Sequence, residues 1–153
     1  MSFARLSLKG RALRLLALRE HSRSELQAKL APHVQEDEDL PALLDELEAR
    51  DFINPQRVAD SVVHSKAQRY GAARVAQQLR SKGLDAELIG AAVEQLRSTE
   101  LQRAREVWRR RFDAPPATPQ ERARQMRFLL GRGFGGDVVR KVLGGAVDED
   151  DGA

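Results

Sequence analysis

The sequence predicts an all-α protein built as an elongated tandem array of about three three-helix repeats, the last of them truncated. Three observations support this fold class. The strong helix formers Ala, Leu, Arg, Gln and Glu dominate the 153 residues, whereas aromatic residues make up only 5%. Helix-capping signals recur along the chain, and no segment reads as a convincing strand. Segments of similar sequence follow one another at a nearly constant offset, as in repeat proteins.

Four helices are expected in the first half of the chain. An apolar pattern over about residues 9–20 predicts the first, and Ser22 begins the second through a capping box with Glu25. An acidic loop at residues 35–39 precedes the third, whose leucines recur at helical spacing. Asn54, which is followed by a proline, is the N-cap expected for a fourth helix that runs to about residue 69.

Further helices are expected in the second half of the chain. Gly71 marks the boundary before one of them, and Gly83 is well placed to end it in the left-handed conformation. After another helix, Glu100 stands in the first turn of the next. Thr118 and Glu121 have the spacing of a second capping box ahead of a helix that reaches about residue 130, and a short final helix follows.

Offsets of 49 and then 50 residues align three segments of the chain. The aligned positions are apolar in all three segments, and a glycine turn in the second segment aligns with one in the third. The first segment departs here, with Val34 and the acidic loop in place of the glycine. Units of this kind contact mainly their neighbours, which leaves long faces open to a partner. The aligned sets are Leu30, Leu79 and Leu129; Leu40, Ile89 and Val139; Leu44, Val93 and Leu143; Gly83 and Gly133; and Leu84 and Phe134.

The expected organisation has six consecutive parts. An N-terminal segment precedes two repeats, a short proline-containing linker, a truncated third repeat and an acidic tail. The tail holds four acids, Asp148 to Asp151, and we expect it to be disordered. In order, the parts span residues 1–8, 9–69, 70–112, 113–117, 118–145 and 146–153.

Charge is distributed unevenly along a chain whose net charge is +3. Residues 1–60 hold 9 basic and 11 acidic side chains, whereas residues 61–144 hold 17 basic and 8 acidic ones. Such a basic stretch suits a polyanion or an acidic protein surface, although an ordinary solvated surface is the alternative. Tyr70 joins the candidates because it lies at a repeat boundary. The candidate contacts with protein or DNA are Lys66, Arg69, Tyr70, Arg74, Arg80, Lys82, Arg105, Arg109, Arg110, Arg111 and Arg132.

Little in the sequence points to catalysis, a cofactor or a metal. The chain has no cysteine, and its three histidines lack ligand spacing. Residues 131–136 fit the dinucleotide pattern GxGxxG formally, but a helix precedes them and the chain ends too soon, so we expect a turn. Trp108 and Phe112 lie one helical turn apart, and core packing is favoured over base stacking. We expect a protein that is not an enzyme.

The N-terminus lacks the apolar region of a signal peptide, because basic residues interrupt it. No apolar run approaches the roughly 18 residues that span a membrane. We therefore expect a soluble, cytoplasmic protein.

Short matches in a fixed order, from about residue 9 to 144, make the chain resemble the RecX family. Each match is weak alone, but their order and spacing are fairly specific. They are Ala12-Leu13-Arg14-Leu15-Leu16-Ala17, Arg19-Glu20-His21-Ser22, Glu25-Leu26, Lys29-Leu30, Tyr70-Gly71, Arg74-Val75, Leu79, Lys82-Gly83-Leu84, Leu129-Leu130, Arg132-Gly133-Phe134 and Val138-Val139.

The resemblance implies a curved array of three-helix repeats and a function. Members of the family bind RecA, lie in the groove of its filament on single-stranded DNA, and reduce strand exchange and coprotease activity. A monomer that needs no cofactor is expected. Two other hypotheses stay open: a basic helical DNA-binding protein of the transcriptional regulator type, and a scaffold that joins proteins unrelated to recombination.

Overall fold

A computed structural model describes residues 5–144, which form nine α-helices and one short 3-10 helix, with no strand in that range. None of these helices is both long and apolar enough to cross a membrane. The predicted acidic tail lies outside the described residues. The α-helices are α1 Leu8–Leu18, α2 Arg23–Leu30, α3 Leu40–Ala49, α4 Pro55–Lys66, α5 Ala72–Ser81, α6 Ala86–Arg97, α7 Glu100–Arg111, α8 Pro119–Gly131 and α9 Gly136–Gly144, and the 3-10 helix is Ala31–His33.

Three separate clusters of buried apolar side chains organise the helices. The clusters span residues 8–53, 59–96 and 104–143, and each is built from three consecutive helices. We call α1–α3 the first unit, α4–α6 the second unit and α7–α9 the third unit. The predicted fold class, an all-α tandem array of three-helix repeats, is therefore confirmed.

The aligned residues of the sequence repeat occupy equivalent places in the three units. Leu30, Leu79 and Leu129 each lie in a different cluster and are at most 1% exposed. The set at the start of the last helix of each unit behaves in the same way, with one buried residue per cluster. The near-constant offset thus reports the spacing of three hydrophobic cores.

The structure groups the helices differently from the predicted boundaries. Helix α4 packs in the second unit, through Ala59 and Val62, although the prediction placed it in the first repeat. Helix α7 packs in the third unit, through Ala104 and Val107, so that unit has three helices and is not truncated as predicted. The turn signals at Gly71 and at the prolines near residue 115 divide helices inside a unit, so they are not borders between units.

Local capping explains where several helices begin. Ser22 Oγ accepts a hydrogen bond from Glu25 N at 3.2 Å and the Glu25 carboxylate accepts one from Ser22 N, which completes the predicted capping box. Asn54 caps α4 as predicted. Thr118 caps α8, but the Glu121 carboxylate accepts from Ala117 N instead of completing a box.

A turn of the second unit joins it to the first unit. Gly83 adopts a φ of 75°, and a Cβ there would lie 2.6 Å from Ser24 Oγ, so a residue with a side chain would be strained at this position. Ser24 Oγ donates to Lys82 O at 2.8 Å, and Lys82 Nζ lies 3.1 Å from the Glu25 carboxylate. The predicted glycine turn is thus part of an interface between units.

The Glu25 carboxyl is the most perturbed acid at this interface. Burial alone raises its pKa, but hydrogen bonds from Arg19, Ser22 N and Lys82 outweigh the burial and lower the pKa to about 2. The folded-state pKa lies below the ordinary value of 4.5, so the carboxylate stabilises the fold at pH values above 4.5. This contribution is lost as the pH falls from 4.5 towards 2.

We expect Glu25→Gln to lower the free energy of unfolding by about 2–3 kcal/mol at pH 7, because it removes the charge that these donors stabilise. The difference from the parent protein should disappear as the pH approaches 2. Urea unfolding between pH 2.5 and 7 measures both effects. Glu94→Gln, on the exposed surface of α6, is the control and should leave the pH profile unchanged. Equal profiles for the two variants would contradict the assignment.

Candidate functional site

The second and third units meet where two glycines approach each other. Gly71 N donates to Arg132 O at 2.8 Å, and Ala73 N donates to Gly133 O at 3.3 Å. A Cβ on Gly71 would lie 2.3 Å from the Gly133 carbonyl oxygen. Gly133 has a φ of 93°, and a Cβ on it would lie 2.5 Å from the Arg74 Cβ. The start of α5 is therefore set directly against the turn before α9.

Two side chains of α7 secure this junction. The buried Glu100 carboxylate accepts a hydrogen bond from Ala72 N at 2.9 Å. The Arg103 guanidinium donates to Ala67 O at 2.7 Å, Tyr70 O at 2.8 Å and Leu96 O at 3.0 Å. Burial lowers the pKa of Arg103, and the neighbouring Glu100 charge opposes that shift. Arg103 thus places its positive charge at the carboxyl-terminal ends of α4 and α6, where helix dipoles favour a cation.

A basic and aromatic surface spans the same junction. The Arg132 guanidinium lies between two rings, with its Cζ 5.5 Å from the Tyr70 centroid and 5.0 Å from the Phe128 centroid. Arg74 lies 4.2 Å from the Tyr70 centroid, and Arg111 lies 5.6 Å from the Phe128 centroid. We call the following set the junction surface: Lys66, Arg69, Tyr70, Arg74, Arg110, Arg111, Phe128 and Arg132.

A shallow cavity of about 230 Å³ lies within the junction surface. Four of its lining residues are arginines from both units, and Val107 and Phe128 supply its apolar part. Contact with the rings restricts the guanidiniums, and most of their N–H groups have no hydrogen-bond partner within residues 5–144. A guanidinium binds phosphate or carboxylate oxygens through paired hydrogen bonds, so this arrangement suits an anionic partner.

Ion pairing separates the junction surface from the rest of the molecule. Within residues 5–144, ion pairs concentrate in the first unit and at its border with the second, where acids contact Lys9, Arg23 and Arg57, among others. In the third unit, Arg140 pairs with Asp137. None of the cations of the junction surface pairs with an acid in the described part of the chain. Its positive charge is therefore available to a partner.

Seven of the predicted contact residues are brought together by the fold, and four are not. Lys82 is engaged at the first interface, where it pairs with Glu25. Arg80 is exposed on α5 and lines another cavity, next to Arg97. Arg105 and Arg109 are exposed on α7, and helical spacing puts them on the flank away from Arg110. The seven that meet at the junction surface are Lys66, Arg69, Tyr70, Arg74, Arg110, Arg111 and Arg132.

Sequence reasoning missed Phe128 as a member of the site. Arg124, Phe128 and Arg132 recur at intervals of four residues, which stacks them along one helical flank, and this spacing was the available signal. Arg124 lies 5.9 Å from the Phe112 centroid, and the Phe112 and Phe128 rings meet edge to face at 5.4 Å. Trp108 packs against the third core, as predicted, and its indole N–H donates to Gln125 at 2.8 Å.

The structure also bears on two other kinds of site considered from the sequence, a dinucleotide site at the GxGxxG segment and a metal site. The segment matching GxGxxG forms a turn between α8 and α9, with Gly133 at its positive φ. A dinucleotide site needs a strand before the glycines. Among residues 5–144, no three His, Asp or Glu side chains cluster in a way that could hold a metal ion.

Comparisons with known proteins agree on one family. Family models match in tandem: RecX, second three-helix domain, over residues 56–93, and RecX, third three-helix domain, over residues 98–143. A regulatory protein RecX from Leptothrix cholodnii is 56% identical over 95% of this chain and 93% of its own length. One from Ralstonia nicotianae is 48% identical over 92% of this chain and 89% of its own length.

A solved structure agrees in fold at much lower sequence identity. The crystal structure of RecX from Lactobacillus salivarius has a TM-score of 0.75 at 18% identity, and the match covers 95% of this chain and 96% of that one. The two family models fall on α4–α6 and α7–α9, which are the second and third units of the structure. The chain belongs to the RecX family of regulatory proteins.

Proposed function

We propose that this protein regulates homologous recombination and DNA repair by binding the RecA filament on single-stranded DNA. It acts in the cytoplasm, as a monomer and without a cofactor. Binding reduces the ATP hydrolysis, strand exchange and coprotease activities of the filament. The protein is a binding module and not an enzyme.

The unpaired positive charge of the junction surface carries this proposal. A filament on DNA presents phosphates and acidic protein surface together, and either can accept the hydrogen bonds that Arg69, Arg110 and Arg132 have free. Their guanidiniums come from two units, so one partner can bridge both units at once. Family membership supports the choice of RecA among anionic partners.

The array explains how binding can inhibit without chemistry. Each unit contacts mainly its neighbours, so the body presents a long face instead of a closed pocket. Placed along a filament, such a body occupies space that homologous DNA or an incoming subunit needs. Inhibition then depends on occupancy, and it should weaken as salt screens the phosphate or carboxylate contacts.

We expect a triple variant, Arg69→Glu, Arg110→Glu and Arg111→Glu, to inhibit RecA at least about tenfold less well, because it reverses charge where an anion binds. Its circular dichroism and thermal unfolding should match the parent, since all three side chains are exposed. The measurement is a titration of DNA-dependent ATP hydrolysis and strand exchange by RecA.

The matched control reverses three predicted arginines outside the junction surface: Arg80, Arg105 and Arg109. It carries the same change in net charge and should inhibit nearly as well as the parent protein. Equal loss of inhibition in both triple variants would reject the junction surface in favour of a general charge effect. Tight, sequence-selective binding to naked duplex DNA, with no effect on RecA, would instead favour the transcriptional regulator hypothesis.

A further inference from the structure

The first unit contains a cavity of about 360 Å³ between α1 and the carboxyl-terminal end of α2. Leu6, Leu15 and Leu30 line its apolar part, and Arg11, Arg14 and Lys29 stand around it. The cavity lies on a different unit from the junction surface. It combines apolar walls with three cations. The proposed function, which uses the junction surface, gives this cavity no role.

The three cations around this cavity differ from their neighbours. Elsewhere in the first unit, cations are matched to acids: Lys9 pairs with Glu46, and Arg23 pairs with Asp45. Within residues 5–144, Arg11, Arg14 and Lys29 have no acidic partner. The first unit thus neutralises its positive charge locally except around the cavity.

Two details describe the surroundings of Arg11 and Lys29. The Arg11 Nε atom is buried and has no hydrogen-bond partner in the described residues, which leaves a donor unsatisfied beside the cavity. Lys29 Nζ lies 3.1 Å from the Nε2 atom of the buried His21. The His21 Nδ1 atom is 2.9 Å from Arg19 O, so a neutral ring donates there and accepts from Lys29. Burial lowers the pKa of His21, which favours that neutral ring.

An exposed leucine extends the apolar part of the site along α1. Leu18 is 79% exposed, the largest value among the exposed large apolar side chains in the described chain. It follows Arg11, Arg14 and Leu15 at spacings of seven, four and three residues, which places all four on one side of the helix. Apolar surface bordered by charge in this way is typical of a protein-binding site.

We propose that the first unit binds an acidic peptide segment of a protein partner. A large apolar side chain of the peptide enters the cavity, and carboxylates on either side of it contact Arg11, Arg14 and Lys29. Three cations on two helices need several carboxylates, so a peptide fits better than an amphiphile with a single carboxylate. This interaction goes beyond the proposed function, because it uses another unit and other residues.

The test uses a fluorescein-labelled seven-residue peptide with leucine at its centre and aspartates and glutamates on both sides. We expect fluorescence anisotropy to show saturable binding to the full chain that weakens as salt is added. A matched peptide with serine in place of leucine should bind at least about fivefold more weakly, because the buried apolar contact is lost. Equal binding of the two peptides would reduce the site to a nonspecific cationic patch and overturn the proposal.

Variants of the protein locate the site. Arg14→Glu should lower the affinity for the leucine peptide at least about tenfold, because it places a carboxylate against the carboxylates of the peptide. Leu6→Ser should weaken the leucine peptide but not the serine peptide, since Leu6 lies outside the core cluster and lines the cavity. Lys141→Glu on α9 is the charge-matched control and should bind normally.

Three further results would overturn the proposal. The first is the same loss in Lys141→Glu as in Arg14→Glu. The second is an unchanged affinity in Arg14→Glu, with circular dichroism confirming that the variant is folded. The third is displacement of the peptide by dodecanoate but not by an unlabelled copy of the peptide, which would assign the cavity to an amphiphile. The triple variant of the junction surface should bind the peptide normally, because the two sites use different residues. Rejection of the peptide site would therefore not reject the proposed function.

Discussion

Replacing Gly71 with alanine is expected to lower the free energy of unfolding by about 3 kcal/mol or more, because the junction has no room for a methyl group. The new Cβ would lie 2.3 Å from the Gly133 carbonyl oxygen and 2.5 Å from the Phe134 nitrogen. Both atoms belong to the backbone, so relief requires the second and third units to move apart. Urea unfolding followed by circular dichroism measures the loss.

A second glycine provides the matched control for this substitution. Gly90 lies within α6, and a Cβ there would have no atom within 4 Å. Gly90→Ala should therefore stabilise the protein by about 0.5–1 kcal/mol, since alanine favours a helix more than glycine does. If Gly71→Ala had the same effect as Gly90→Ala, the close approach at the junction would be wrong. Because the junction surface spans both units, the proposed function predicts that Gly71→Ala also inhibits RecA less well than the parent protein.

Arg103→Met is the second substitution with a large expected effect, a loss of about 3 kcal/mol in the free energy of unfolding. It removes hydrogen bonds from a charged donor to Ala67 O, Tyr70 O and Leu96 O and leaves those carbonyl groups without this donor. The substitution keeps most of the apolar stem of the side chain, so the loss of stability measures the contribution of the guanidinium. Urea unfolding measures the change.

The single tyrosine and the single tryptophan of the chain provide a separate readout for Arg103→Met. Tyr70 belongs to the second unit and Trp108 to the third, so energy transfer between them depends on how the units sit together. We expect the transfer to change in Arg103→Met under native conditions. Arg105→Met, on the exposed flank of α7, should leave both the stability and the transfer near those of the parent. Indistinguishable results for the two variants would contradict the role of Arg103 in holding the junction together.

Much of the fold follows from local signals in the sequence. The hydroxyl of Ser22 and the amide of Asn54 cap the helices where their positions predicted, because capping depends on residues within one turn. The offset of the repeat was equally informative, since every unit must bury one side of each helix. The sequence did not show which helices share a core, and the predicted boundaries grouped α4 and α7 with the wrong units. That depends on packing between segments that no local signal records.

The candidate site was less predictable for the same reason. Lys82 and Arg69 look alike in sequence, but Lys82 meets an acid 57 positions earlier in the chain, whereas Arg69 lines the cavity of the junction surface. Glu100 was expected only to begin a helix, yet its buried carboxylate accepts a hydrogen bond from Ala72 N, 28 positions earlier. Charge can be counted from sequence, but the partner of each charge is set by the tertiary structure.

The contact between Gly71 and Gly133 also has a thermodynamic consequence. Cations from two units act on one partner only while those units are docked, so docking and partner binding are linked equilibria. By reciprocity, the factor by which docking strengthens binding is the factor by which a bound partner strengthens docking. A bound partner that contacts both units therefore stabilises the third unit against local unfolding, and release of that partner removes this protection.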